Sequence, residues 1–184
     1  MSHKNKAIDI IPPKHIWVGE KSAPVSLIEF GDYESEACAK LQPVIAELLE
    51  AYAGKLKFQF RHFPLTQVHQ KAHKAAEASV AASQHGRFWE MHDLLFRHRR
   101  NLGSISLREY AIEAGVKDKN FIAHLTDSVF GWTVRADLLE GLELGVREVP
   151  AIFINGERYT GLPNFAQLSK AVKAALEQEK AKRA

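Results

Sequence analysis

The sequence predicts an α/β fold in which two strand-containing segments flank a long helical segment. Short β-prone runs, separated by one helical pattern, occupy roughly the first 65 residues. From His69 to about Gly145 only helical patterns occur. Two apolar runs then flank Asn155-Gly156, a dipeptide typical of a tight β-hairpin turn. The predicted order is therefore β-α-β, an all-helical insertion, then β-β-α.

The first β-α-β unit begins with two β-prone runs, 15–19 and the stronger 23–33. Residues 34–55 then change to helical spacing, and residues 55–65 alternate apolar and polar side chains as in a half-buried strand. The helix between these strands is long enough for a parallel crossover. Its apolar stripe has helical spacing and consists of Leu41, Val44, Ile45, Leu48 and Leu49.

Five helical patterns fill the middle of the chain, over 69–86, 87–99, 106–116, 119–128 and 129–146. In the third pattern, Ser106 is the expected N-cap and Glu109 its capping-box partner. The last pattern of the chain, 162–182, predicts an amphipathic helix that opens with Pro163 and Asn164.

Composition and charge narrow the possible functions. The 184 residues carry 25 Lys and Arg against 22 Asp and Glu, a net charge of only +3. The basic run 97–100 suits a helix C-terminus, so we expect no nucleic-acid partner. No stretch approaches the roughly 20 apolar residues that span a bilayer, so we expect no membrane insertion. Without an apolar signal segment, we expect a cytoplasmic protein as written, or an exported one if such a segment has been removed.

Four separated segments resemble the DsbA-like branch of the thioredoxin superfamily. They are "EFGDYESEAC", "RHFPLTQVHQKAHKAAEA", "GRFWEMHDLLF" and "GVREVPAIFINGERYTG", and the likeness extends from about residue 20 to residue 176. The resemblance implies a thioredoxin-like fold with a helical insertion. It divides the chain into a discontinuous domain of residues 1–66 and 146–184 and an insertion domain of residues 67–145. It also implies the scaffold of a thiol–disulfide oxidoreductase.

The sequence departs from this family at the redox motif. Where the family has D-[FY]-x-C-P-x-C, this chain has Ser35 at the first cysteine, Glu36 at the proline, and then Ala37 and Cys38. The resemblance thus places Cys38 at the resolving position and leaves serine at the position of the nucleophile. Ser35 and Cys38 are the candidate catalytic residues, and Glu36 and Ala37 are candidate substrate contacts.

A single cysteine cannot form an internal disulfide, and a dithiol cycle needs two thiols within reach. Cys38 can still form a mixed disulfide with glutathione or with a protein thiol. Ser35 suits the N-cap of the following helix. Asp32, Glu34 and Glu36 crowd the same helix end and disfavour a neighbouring thiolate. Whether Cys38 is a nucleophile or an inert thiol stays open at this point.

The second half of the family's site falls on Val149-Pro150. The family has a cis-proline there, so the resemblance implies a cis peptide bond in this chain. In the family, the backbone before this proline pairs with an extended substrate peptide. Because main-chain pairing needs no cysteine, peptide binding at Val149 and Pro150 is expected to survive loss of the dithiol.

Three functions follow from these residues and stay open. The first is a thiol–disulfide oxidoreductase that acts on protein or glutathione thiols through Cys38 alone. The second is a non-catalytic, chaperone-like module that binds extended peptides or protein clients. The third is a glutathione-dependent conjugating or isomerising enzyme that uses Ser35. No cofactor is expected apart from glutathione as a co-substrate. His69 and His73 share a helix face, but no third ligand lies nearby in sequence, so we expect no metal.

Overall fold

The computed structural model describes residues 10–182, which form a four-stranded sheet and the helices packed against it. The sheet order is β2-β1-β3-β4, with β1 parallel to β2 and antiparallel to β3, and β3 antiparallel to β4. In chain order the elements are β1 Val25–Gly31, α1 Glu36–Ala51, β2 Leu56–His62, α2 Ala72–Ser83, α3 Phe88–Arg97, α4 Ser104–Glu113, α5 Phe121–Thr126, α6 Gly131–Glu143, β3 Ala151–Ile154, β4 Glu157–Tyr159 and α7 Phe165–Ala181.

The central strand β1 owes its position to its apolar side chains. Val25 and Leu27 are fully buried, and α1 provides the crossover that lets β2 run parallel to β1. Most of the predicted stripe of α1 is buried as expected: Leu41, Ile45 and Leu48 face the core, while Val44 and Leu49 are half-buried.

The prediction of a strand over 15–19 is wrong. Pro13–His15 is a 3₁₀ turn, and only Val18 pairs with β2, through an isolated bridge to Phe58. Proline has a fixed φ and no N–H to donate, so it starts a helical turn here rather than a strand.

The helical insertion is present, with α2 to α6 all lying within residues 67–145 and no strand among them. The predicted N-cap at Ser106 is wrong, because α4 begins two residues earlier at Ser104. Gly103, which has an extended backbone, is the N-cap instead and accepts the hydrogen bond from the Leu107 N–H. The division into two domains stays a prediction, and its residues 1–9 and 183–184 lie outside the described part of the chain.

The C-terminal β-β-α unit agrees with the sequence prediction. Asn155 and Gly156 have φ values of 48° and 85°, the left-handed conformation that a two-residue hairpin turn requires. Asn164 caps α7 by accepting a hydrogen bond from the Gln167 N–H at 3.0 Å. Among residues 10–182, no helix combines the length and apolar composition needed to cross a bilayer.

Candidate functional site

Strand pairing brings the two halves of the predicted site to the same end of the two central strands, β1 and β3. Phe30, near the end of β1, pairs with Ala151 at the start of the antiparallel β3. The turn after β1 leads to Ser35 and α1, and Pro150 directly precedes β3. Both segments therefore leave the sheet at the same end, although 115 residues separate Ser35 from Pro150 in sequence.

Ser35 is the N-cap of α1, as the sequence predicts. Its Oγ accepts a hydrogen bond from the Cys38 N–H at 3.3 Å, and its backbone is extended, as a cap requires. The side chain is buried. This hydroxyl therefore has a structural role at the position where the family has its nucleophile.

Cys38 lies in the first turn of α1 and is fully buried, facing the core together with Leu41 and Ile45. Burial raises the pKa of the thiol well above its ordinary value, and the neighbouring Glu29 carboxylate raises the pKa further. The hydrogen bond from Ser35 opposes this shift without cancelling it. Near neutral pH Cys38 is therefore a thiol rather than a thiolate, and in this conformation it is a poor nucleophile.

A buried acid, which no sequence motif indicated, lies next to this thiol. Glu29 is fully buried in β1, and burial raises the pKa of its carboxyl to about 8, opposed by hydrogen bonds from Gln42 and Cys38. Its Oε2 accepts a hydrogen bond from Gln42 Nε2 at 3.1 Å. For Oε1, no donor among residues 10–182, the Cys38 thiol included, meets both the distance and the angle of a hydrogen bond. Its burial could have been predicted from the alternation of side chains along a strand, because Glu29 lies on the same face of β1 as the buried Val25 and Leu27.

Asp32 fastens the turn between β1 and α1. Its carboxylate accepts hydrogen bonds from the Glu34 N–H at 2.7 Å and the Leu65 N–H at 2.8 Å, and His69 Nδ1 lies 2.9 Å away. The carboxylate is buried by these contacts. Of the two histidines considered as ligands, His69 therefore pairs with Asp32, while His73 pairs with Glu77 at 3.4 Å.

Glu36 and Ala37, the candidate substrate contacts, are both exposed. Glu36 lies 2.8 Å from Lys40 and 3.0 Å from Arg99. The hydrogen bond and charge of Lys40, followed by the charge of Arg99, lower the pKa of this carboxyl. Arg99 also donates to the Glu34 carbonyl oxygen at 3.4 Å. Arg99, from the basic run 97–100, therefore contacts the residues at the start of α1, which the sequence pattern did not predict.

The proline side of the candidate site directly precedes β3. The Val149-Pro150 peptide bond is cis, and both residues are half-buried. Within the described residues, the Val149 backbone N–H and C=O have no backbone partner. An open groove of about 290 Å³ runs beside this bond, with Pro150, Ile152 and Tyr159 among the residues that line it. The segment before β3 therefore offers free main-chain groups next to a groove.

A thioredoxin-family sequence profile matches residues 12–174. The chain is 39% identical over 158 residues to the Na(+)/H(+) antiporter NhaA 1 of Salinispora arenicola, covering 85% of this chain and 24% of that protein. It is 33% identical over 160 residues to NhaA 1 of Mycolicibacterium gilvum, covering 85% and 26%. The chain therefore spans about a quarter of the length of these curated relatives.

Solved structures with the same architecture include BdbD from Bacillus subtilis in its oxidised form. Its TM-score is 0.81 at 20% identity, with 90% of this chain and 93% of that chain covered. Wolbachia pipientis alpha-DsbA1 has a TM-score of 0.76 at 18% identity, with 91% and 94% covered. At these identities the likeness shows the fold, which is the fold expected from the sequence.

Proposed function

Because this chain belongs to the thioredoxin family and has its DsbA-like fold, we propose that it acts on thiol or disulfide clients through a single thiol, Cys38. The client would bind beside Val149 and Pro150. Dithiol chemistry is lost, since Cys38 is the only cysteine in the chain.

The observation that carries this proposal is the buried carboxyl of Glu29 next to Cys38. Burying a carboxyl with an unpartnered oxygen costs free energy, and a site that only had to be packed would hold an apolar side chain there. A titratable acid beside a thiol is instead suited to exchanging a proton with it. The pairing favours retained thiol chemistry over an inert core cysteine.

The proposed exchange has two steps. In the fraction of molecules in which Glu29 is ionised, which grows as the pH approaches 8, the carboxylate accepts the proton of Cys38 and the thiolate attacks one sulfur of an external disulfide. The Cys38 S–S bond forms as the external S–S bond breaks, and the other half of the disulfide leaves as a thiolate that takes up a proton. A second external thiolate, such as glutathione, then attacks the mixed disulfide and releases Cys38 as a thiolate, which takes its proton back from Glu29. Because Cys38 is buried, the first step requires local opening of the α1 N-terminus, so exchange should be slow.

A glutathione exchange assay tests the proposal. Wild-type protein should accelerate the reduction of a disulfide-bonded peptide by glutathione, and Cys38→Ala should fall to the uncatalysed rate. Asn164→Ala, which removes the N-cap of α7 and touches neither Cys38 nor Glu29, should retain exchange and is the matched control. Equal rates for wild type and Cys38→Ala would eliminate the catalytic function.

A second candidate, a client-binding module without redox activity, is favoured by the burial of Cys38 and the free main-chain groups of Val149. It predicts that Pro150→Ala weakens binding of an extended peptide while Cys38→Ala leaves it unchanged. Failure to bind peptides at micromolar concentration would remove it. The third candidate, a conjugating enzyme that uses Ser35, stays a prediction. It requires a hydroxyl that in this structure already caps α1.

A further inference from the structure

A hydrogen-bonded chain of three side chains connects the insertion to the Glu29–Cys38 pair. The Tyr33 hydroxyl lies 3.1 Å from His92 Nδ1, and His92 Nε2 lies 3.0 Å from Gln42 Oε1. Gln42 Nε2 then donates to Glu29 Oε2 at 3.1 Å and to the Cys38 carbonyl oxygen at 3.0 Å. Tyr33 and His92 are buried, and the imidazole lies among aromatic rings.

The direction of each hydrogen bond in this chain is fixed by chemistry. Both acceptors of Gln42 Nε2, a carboxylate oxygen and a carbonyl oxygen, require the amide NH₂ group to face them. The amide oxygen must then face His92, so His92 Nε2 carries the hydrogen and Nδ1 accepts from the Tyr33 hydroxyl. Burial lowers the pKa of His92 to about 3, with the charge of His62 adding to the effect, so the imidazole stays neutral and keeps this tautomer.

We propose that Gln42 is the positioning residue of the Glu29–Cys38 pair, and that His92 and Tyr33 lock the orientation of its amide. The inference rests on the proposed function, since it assigns a role toward the same acid and thiol. It connects α3 of the insertion to the start of α1, which holds Cys38.

The consequence for Glu29 follows from its environment. Gln42 donates the one hydrogen bond with sound geometry that this carboxylate receives from residues 10–182, and a donor favours the ionised form of an acid. Without it, both carboxylate oxygens would be buried with no such donor, and Glu29 would hold its proton to higher pH. Only the ionised form of Glu29 can accept the proton of Cys38, so the amide of Gln42 increases the fraction of Glu29 that is able to do so at a given pH.

Gln42 and His92 also line a small cleft of about 180 Å³ between α1 and α3, walled by Ile45, Phe58 and Trp89. The substitution at position 42 must therefore fill the same space, because a shorter side chain would let water replace the lost donor. Gln42→Met keeps the length and removes the polar atoms. His92→Phe leaves Gln42 in place but removes the group that orients it. Ile45→Val alters the packing of the same cleft without touching a polar group.

The test is the titration midpoint of Glu29, measured by ¹³C NMR of the labelled carboxyl in the full chain. Gln42→Met should raise the midpoint by about one pH unit or more, since hydrogen bonds to a charged group have that strength. His92→Phe should raise it by less, and Ile45→Val should leave it unchanged. An unchanged midpoint in Gln42→Met overturns the inference.

The wild-type protein provides a second measurement that needs no variant to fold. The side-chain amide ¹H and ¹⁵N shifts of Gln42 should titrate with the same midpoint as the Glu29 carboxyl, and their independence would also overturn the inference. Neither measurement requires catalysis. Loss of the proposed exchange activity with an intact coupling of Gln42 to Glu29 would therefore refute the function alone.

Discussion

Replacing Glu29 with glutamine should stabilise the protein in a strongly pH-dependent way. Burial raises the pKa of this carboxyl from its ordinary value of 4.5 to about 8. Between those two values the folded protein keeps a proton that the unfolded chain has released. Wild-type stability should therefore be greatest below pH 4.5 as far as Glu29 is concerned, and should fall as the pH rises toward 8. Glutamine has a similar shape and does not titrate, so the stability of Glu29→Gln should not show this fall with rising pH.

The expected magnitude follows from the same pKa values. Each pH unit within the window changes the free energy of unfolding by about 1.4 kcal/mol, so the three units from pH 5 to pH 8 correspond to about 4 kcal/mol. Relaxation and water entry make this an upper limit. A loss of that size is a large part of the roughly 5–15 kcal/mol by which domains are stable. Relative to wild type, Glu29→Gln should thus gain several kcal/mol on moving from pH 5 to pH 8.5.

Urea unfolding followed by circular dichroism at pH 5 and pH 8.5 measures this difference. His92, whose pKa burial lowers to about 3, contributes to the pH dependence of both proteins and cancels in the comparison. Glu36→Gln is the matched control, because that carboxyl is solvent-exposed and its lowered pKa keeps it ionised throughout this pH range. If the difference between Glu29→Gln and wild type is the same at both pH values, Glu29 does not titrate as the structure implies, and the reasoning fails.

Three further predictions concern the cap, the missing thiol and the buried ion pair. Ser35→Ala should lower the free energy of unfolding by about 1 kcal/mol through loss of the N-cap. Ser35→Asp, which can still cap the helix, should keep most of that stability. An equal loss in both variants would exclude a capping role. Ser35→Cys should form a disulfide with Cys38 and gain insulin-reducing activity, and two free thiols under oxidising conditions would show that the site no longer fits a dithiol. Asp137→Ala should lower the free energy of unfolding, measured in urea, by about 3 kcal/mol, because it leaves buried Arg61 and His62 without their shared carboxylate. Glu140 is half-exposed, so Glu140→Gln should cost about 1 kcal/mol or less. Similar costs for the two variants would contradict this prediction.

Much of the fold could be predicted because it depends on local patterns. The hairpin at Asn155-Gly156, the cap at Ser35 and the start of the last helix near Pro163 and Asn164 each depend on residues a few positions apart, and the structure has all three. The cap at Ser106 failed although its local pattern was equally good. There α4 begins after the extended Gly103 and has no side-chain cap, so the Ser106 hydroxyl is not used for capping.

The site was only half predictable, for a related reason. Ser35, Cys38 and Pro150 were found because they match a motif, whereas the acid and its hydrogen-bonded partners match none. Glu29 lies in a strand, Gln42 in the following helix, and His92 in the insertion, 50 residues beyond Gln42. Only the tertiary fold brings His92 of α3 within hydrogen-bonding distance of Gln42 in α1. The position of Glu29 on the buried face of β1 could be predicted from the alternation of side chains along the strand, but nothing in the sequence identified the residues that Glu29 contacts.

The most direct test of a single-thiol function is intact-protein mass spectrometry after incubation with oxidised glutathione. Folded wild-type protein should gain one glutathione, bound at Cys38, more slowly than the same chain in urea because the thiol is buried. Cys38→Ala should gain none. An adduct that forms only in urea, and never on the folded protein, would contradict thiol exchange at Cys38 and leave client binding beside Pro150 as the function of the site.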